Sequence, residues 1–229
     1  MTTDLAKIAQ YFDHTLLRAD ARREEIEKLC DEAKQLGTFS VCVNPTYISL
    51  AKARLVGSSV KVCSVVGFPL GATLGAIKRD EAKQCLDLGA TEIDMVAAVG
   101  SFLSGDHGLY GEEIVTLRKL CESYKATLKV IIETALLSTD QVGKCTGIVA
   151  KSGAHFVKTS TGFSSRGASL EDIAIIKNEL ESLSLYPKVG IKASGGIKTA
   201  EASQALIAAG ATRLGSSGTA NILKHWDDR

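Results

Sequence analysis

Two lysines stand near the ends of short apolar runs in the second half of the chain: Lys158 in AHFVKTSTGF (residues 154–163) and Lys192 in KVGIKASGG (residues 188–196). Each follows a β-rich run and precedes a turn of Gly, Ser and Thr, which sets its ammonium group at the mouth of a sheet. Desolvation there, beside a second cation, favours the neutral amine, and a neutral amine is a nucleophile. Asp94, in TEIDMV (residues 91–96), adds a carboxylate able to move protons. A nucleophilic lysine, a neighbouring cation and a carboxylate are the parts of Schiff-base chemistry on a carbonyl substrate. One such lysine alone reads as an ion-pair partner at a strand end. Two with an aspartate on one rim, each bracketed by apolar residues, read as a site.

Two small loops, ASGGI (residues 193–197) and GSSGT (residues 215–219), add a second chemistry. Backbone N–H groups in Gly/Ser turns that lead into helices favour an anion, so Gly195, Gly196, Gly215, Ser216 and Ser217 are candidate phosphate ligands. Glycines that merely make tight turns are the plainer reading of either loop taken singly. A third loop, TSTGF (residues 159–163), lines the same pocket in this reading, with the hydroxyls of Thr159 and Thr161 for substrate and Gly162 beside the phosphate. Asp13 and Thr15 end the first run and either bind substrate hydroxyls or cap the following turn. Cys42 is expected to pack at the end of the second run, facing the pocket; no histidine partner suggests that it is a nucleophile. Glu133 is expected to pair with a lysine.

These residues need a frame that brings them together. Eight β-rich runs can be counted, at residues 11–15, 39–43, 60–66, 91–97, 128–133, 154–158, 188–192 and 211–215. Between them lie stretches with apolar residues at three- and four-residue spacing, such as 22–36, 74–88, 111–123, 170–183 and 200–209. Gly89, Gly153 and Gly210 punctuate the passage from helix into strand. Strict alternation with right-handed crossovers makes a parallel sheet, and eight units in this length close into a (β/α)8 barrel with its site at the strands' C-terminal ends. An open doubly wound sheet is the alternative, disfavoured because no G-x-G-x-x-G follows the first run. No linker or shift of composition divides residues 1–229, so a single domain is expected.

Composition narrows the partners. A net charge of +1 gives no reason to expect nucleic acid or an anionic membrane. Six cysteines are scattered singly, without C-x-x-C, and the four histidines lack ligand spacing. Neither a zinc site nor a disulfide framework is indicated, and no metal or cofactor is expected. No signal-peptide pattern opens the chain and no apolar run of about 18 residues occurs, so a cytoplasmic enzyme is the default.

With DHT at residues 13–15, VVGFPLG at 65–71, EIDMV at 92–96, LKVIIET at 128–134, VKTSTGF at 157–163 and IKASGGI at 191–197, nearly the whole chain resembles the deoxyribose-phosphate aldolases. The resemblance implies a Schiff-base-forming barrel that cleaves 2-deoxy-D-ribose 5-phosphate to glyceraldehyde 3-phosphate and acetaldehyde without a metal. It implies Lys158 as the imine-forming lysine, Lys192 as the second lysine and Asp94 as the proton relay. Its small-molecule partners are thus a phosphosugar and aldehydes, and a homodimer is expected. Ala193 stands where such proteins often have proline, and Gly218 where a second serine is common. The chain ends in HWDDR without the terminal tyrosine some relatives carry. An isomerase or synthase on the same barrel would use a carboxylate base, and a ligand-binding barrel would need no paired lysines.

Overall fold

A computed structural model describes residues 4–228. Eight strands, β1 (Phe12–Leu16), β2 (Ser40–Val43), β3 (Lys61–Val66), β4 (Glu92–Val96), β5 (Thr127–Ile131), β6 (Phe156–Lys158), β7 (Gly190–Ser194) and β8 (Arg213–Ser216), pair in parallel in chain order. β8 returns to pair with β1, which closes the barrel and rules out the open sheet. Ten helices surround it among the described residues: α1 (Leu5–Ala9), α2 (Arg23–Leu36), α3 (Ile48–Arg54), α4 (Gly75–Leu88), α5 (Val99–Leu103), α6 (His107–Ser123), α7 (Thr139–Lys151), α8 (Leu170–Ser182), α9 (Ala200–Ala209) and α10 (Thr219–Lys224). The glycines at 89, 153 and 210 all have positive φ, as the passage from helix to strand requires.

Alternation along each strand sorts the side chains into two populations. Val41, Val43, Ile93, Met95, Leu128, Val130, Val157, Ile191 and Leu214 belong to the main apolar core, between barrel and helices. Their neighbours in sequence, Cys42, Glu92, Asp94, Lys129, Lys158, Lys192 and Arg213, are buried as well and point the other way, into the barrel. The barrel interior is therefore filled largely by charge. Room is made locally: a Cβ on Gly215 would come within 3.2 Å of the Lys192 stem, and one on Gly190 within 2.3 Å of the Phe156 ring. Below, the Arg213 guanidinium lies 3.5 Å from the centre of the Phe39 ring and 5.2 Å from that of Phe156, which seals that end.

The strands follow the order of the eight runs but not always their length. β7 begins at Gly190 and extends through Ser194, so Lys192 sits inside its strand rather than at its end, while Asp94 lies in the middle of β4 as it does in its run. Lys158 alone ends its strand. Five helices lie outside the helical stretches named from the sequence. Three of them, α1, α5 and α10, have six residues or fewer, and α3 has seven. α7 is longer, and a cap marks its start: the Ser138 hydroxyl accepts from the Gln141 N–H while the Gln141 side chain accepts from the Ser138 N–H.

Candidate active site

β4 and β6 bring Asp94 to Lys158, whose Nζ donates to Asp94 Oδ2 at 2.8 Å. Lys192, register partner of Lys158 on the next strand, donates to the same oxygen at 2.7 Å and to Asp13. Lys129, opposite Asp94 on β5, donates to Asp94 Oδ1 at 2.8 Å and lies 2.7 Å from Glu92 and 3.7 Å from Asp13. Arg213 completes the cage, 2.8 Å from Asp13 and 3.3 Å from Glu92. Among the described residues four basic side chains thus share three carboxylates, all of them buried.

The cage sets its own protonation. Burial raises the carboxyl of Asp94, but Lys129, Lys158 and Lys192 outweigh it and hold Asp94 well below the usual carboxylate range. Burial likewise opposes the charge on Asp13, and Lys192, Lys129 and Arg213 overcome it. Desolvation works against the ammonium groups of Lys129 and Lys192, yet Asp13 and Asp94 keep both above the ordinary lysine range. Lys192 is accordingly a fixed cation beside Lys158.

Cys42 and Cys63 pair across β2 and β3, close to Asp94, so two thiols scattered in sequence meet in space. A hydrogen bond from Cys63 draws the Cys42 thiol down, whereas burial and that same bond push Cys63 up. The donor atoms of Cys42, Cys63 and Asp94, and those of Asp13, Cys63 and Glu92, are close enough together to hold a metal ion. The Lys129 ammonium, 3.3 Å from Cys63 and 2.8 Å from Asp94, already stands where such a cation would bind.

Above the cage a cavity of about 440 Å³ opens between the ends of β1, β6, β7 and β8. Of the residues singled out in the sequence, Thr15, Lys158, Thr161, Gly162, Gly195, Gly196, Gly215, Ser216 and Ser217 line it. The N–H groups of Gly162, Gly195, Gly196 and Ser217 make no hydrogen bond within the protein among the described residues. The loops after β6 and β7 lie backbone against backbone: a Cβ on Gly195 would fall 2.9 Å from Gly167 Cα and 3.3 Å from Gly162 Cα. Ser216 is less available, since its hydroxyl donates to the Ile197 carbonyl at 2.7 Å and accepts from the Gly218 N–H.

Three expected substrate contacts sit elsewhere. Asp13 is fully buried and both its oxygens are taken by Lys192 and Arg213, which makes it a counter-ion. The Thr159 hydroxyl accepts from the Ser194 N–H at 3.2 Å and ties β6 to β7. Cys42 is buried against Cys63 below the cavity, and Glu133 receives the N–H and hydroxyl of Thr161 rather than a lysine. Sequence reading missed Lys129, Glu92 and Arg213, whose inward direction only the barrel register discloses. It also missed Lys198, which lines the cavity beside the glycine loop, and Arg18, which lines it with its guanidinium held by Asp20 and Glu25.

Fold and site together define a (β/α)8 barrel with a buried lysine–aspartate cage at the foot of an anion-receptive pocket. Known proteins with this pattern give it a family. The chain belongs to the DeoC/LacD aldolases, whose family model matches residues 7–228. It is 53% identical to the deoxyribose-phosphate aldolase of Mycoplasmoides pirum over 93% of this chain and 94% of that one. With that of Geobacillus sp. (strain WCH70) it shares 44% identity over 95% of each. Among solved structures, a deoxyribose phosphate aldolase from Aeropyrum pernix, described as tetrameric, superposes with a TM-score of 0.87 at 31% identity. That match covers 98% of this chain and 93% of the other.

Proposed function

We propose that this protein reversibly cleaves 2-deoxy-D-ribose 5-phosphate to D-glyceraldehyde 3-phosphate and acetaldehyde through an imine on Lys158. The observation that carries the proposal is the charge count of the cage. With Lys158 as a neutral amine, Lys129, Lys192 and Arg213 match Asp13, Glu92 and Asp94 one for one. Lys158 has a single carboxylate partner, shared with Lys192, whereas Lys129 and Lys192 each have at least two. It is the amine that can be spared as a nucleophile.

Lys158 Nζ adds to the C1 aldehyde, and loss of water leaves an iminium that draws electrons from the neighbouring bonds. Acetaldehyde carries two carbons, so the bond that breaks is C2–C3. The C3 hydroxyl gives up its proton, C3 leaves as the aldehyde of glyceraldehyde 3-phosphate, and the bonding pair passes to C2 as an enamine. Protonation at C2 and addition of water then release acetaldehyde and restore the amine. Asp94 and Lys192, both within hydrogen-bond reach of the reacting nitrogen or its partner oxygen, are the proton carriers. The iminium supplies the electron sink, so these steps need no metal or cofactor. Gly162, Gly195, Gly196, Gly215, Ser216 and Ser217, with Lys198, hold the phosphate, and Thr15 and Thr161 face the sugar hydroxyls.

We read residues 1–229 as one catalytic domain acting in the cytoplasm in deoxyribose phosphate catabolism; no helix among the described residues is long and apolar enough to cross a membrane. A homodimer is the form in which we expect the protein to act. The substrate is tested by following acetaldehyde release from 2-deoxyribose 5-phosphate: the wild type is expected to release it and Lys158→Met is not. Turnover by Lys158→Met comparable to wild type would defeat the proposal.

A further inference from the structure

Three residues other than glycine adopt a left-handed backbone among the described residues. Lys125 and Ser184 are exposed and stand just past the ends of α6 and α8, where helices commonly turn this way. Glu133, at φ 53°, is different, because it follows a strand, β5, and is buried. Such a conformation persists only where its surroundings fix it.

The surroundings are the loop after β6. Glu133 Oε2 accepts from the Thr161 N–H at 3.2 Å and from the Thr161 hydroxyl, and Thr161 Oγ1 in turn accepts from the Phe163 N–H at 3.1 Å. A carboxylate only accepts, so it fixes the direction of the Thr161 hydroxyl proton and leaves the Thr161 oxygen to Phe163. The N–H groups on both sides of Gly162 are thereby tied down, while that of Gly162, which lines the cavity, stays unbonded. Thr134 grips the same loop at both ends. Its N–H donates to the Thr159 carbonyl at 2.9 Å, its hydroxyl donates to the buried Asp172 at 2.9 Å, and its carbonyl accepts at 3.0 Å from Arg166, which also pairs with Asp172. Beyond Arg166 the Ala168 N–H donates to the Ser194 carbonyl at 3.0 Å, at the strand end from which Gly195 and Gly196 follow.

We propose that Glu133 is a positioning residue for the phosphate group: acting through Thr161, it fixes the peptides on either side of Gly162 so that the Gly162 N–H faces the anion. The inference rests on the phosphate reading of the glycine loops. Glu133 does not itself line the cavity, and its effect on the substrate passes through the loop alone.

The test is the ratio of kcat/KM for 2-deoxyribose 5-phosphate to that for 2-deoxyribose. Glu133→Ala removes the carboxylate and is expected to lower the ratio about tenfold, the worth of one charge-assisted hydrogen bond out of line. Glu133→Gly removes the carboxylate and the backbone strain together, so it should fold even if Glu133→Ala does not, and the same loss is expected. Glu133→Gln, whose amide oxygen can accept from both Thr161 donors, is expected to stay within about threefold of the wild type. Borohydride capture of acetaldehyde on Lys158 should persist in all three, because acetaldehyde carries no phosphate. A wild-type ratio in Glu133→Gly with unchanged circular dichroism would overturn the inference and leave Glu133 a support of the backbone only, as would equal losses on both substrates. A wild type that cleaves the two substrates equally well would defeat the phosphate reading and the inference with it.

Discussion

Replacing Lys129 with methionine removes a cation that the substrate never meets, and its effects follow from the cage. The Lys129 ammonium is 2.7 Å from Glu92 and 2.8 Å from Asp94. Methionine keeps much of the length and leaves the carboxylates behind. Breaking a buried ion pair by deleting one partner costs about 3–5 kcal/mol. The lower figure applies, because Arg213 still reaches Glu92 and Asp13 while Lys158 and Lys192 still reach Asp94. The catalytic effect is more specific. Two cations then face three carboxylates, and the Lys158 ammonium becomes the third cation. Lys129 and Lys158 approach opposite oxygens of one carboxylate, so a charge on one opposes a charge on the other. Removing a cation favours the ammonium, so the rising limb of kcat/KM against pH should move upward. Urea unfolding gives the stability and pH–rate profiles give the limb. A limb that stays in place while stability falls would refute the idea that charge balance in the cage keeps Lys158 neutral.

Lys192→Met should fold, lower kcat by about 10²–10⁴-fold and move the same limb upward; kcat near wild type would make Lys192 structural only. Gly196 has φ 75° with open space where a Cβ would stand, so Gly196→Asp would present a carboxylate to the proposed phosphate site. Discrimination between 2-deoxyribose 5-phosphate and 2-deoxyribose should then shrink by about 2–4 kcal/mol, and equal losses on both substrates would mean that the loop does not read phosphate. Stability against urea should be highest between about pH 4 and pH 10. Asp13 and Asp94, held below the ordinary carboxylate range, contribute stability that is lost as pH falls below about 4. Lys129 and Lys192, held above the ordinary lysine range, contribute stability that is lost as pH rises past about 10. A urea midpoint unchanged down to about pH 2 would count against the cage.

Fold and chemistry were legible in the sequence to different depths. The order of strands and the long helices followed from the alternation of β-rich and helical segments, because burial against helices leaves a strong apolar pattern in every strand. Lys158, Asp94 and Lys192 were legible because charge bracketed by apolar residues is rare, and in the structure both lysines donate to one oxygen of Asp94. Lys129 was not, although it is bracketed in the same way in LKVI (residues 128–131). Its partner Asp94 is settled by the β4–β5 register, which no local pattern fixes. Asp13 and Thr159 were placed on the substrate because they stand at strand ends, but their oxygens go to Lys192, Arg213 and Ser194, partners distant in sequence.

The central claim is that Lys158, and no other residue, becomes covalently bonded to the substrate. Incubation with acetaldehyde and sodium borohydride, followed by peptide mass spectrometry, tests it directly. The account predicts one ethyl group on Lys158 together with loss of activity, and no such modification of Lys129 or Lys192. An unmodified Lys158 peptide from an inactivated sample would contradict it.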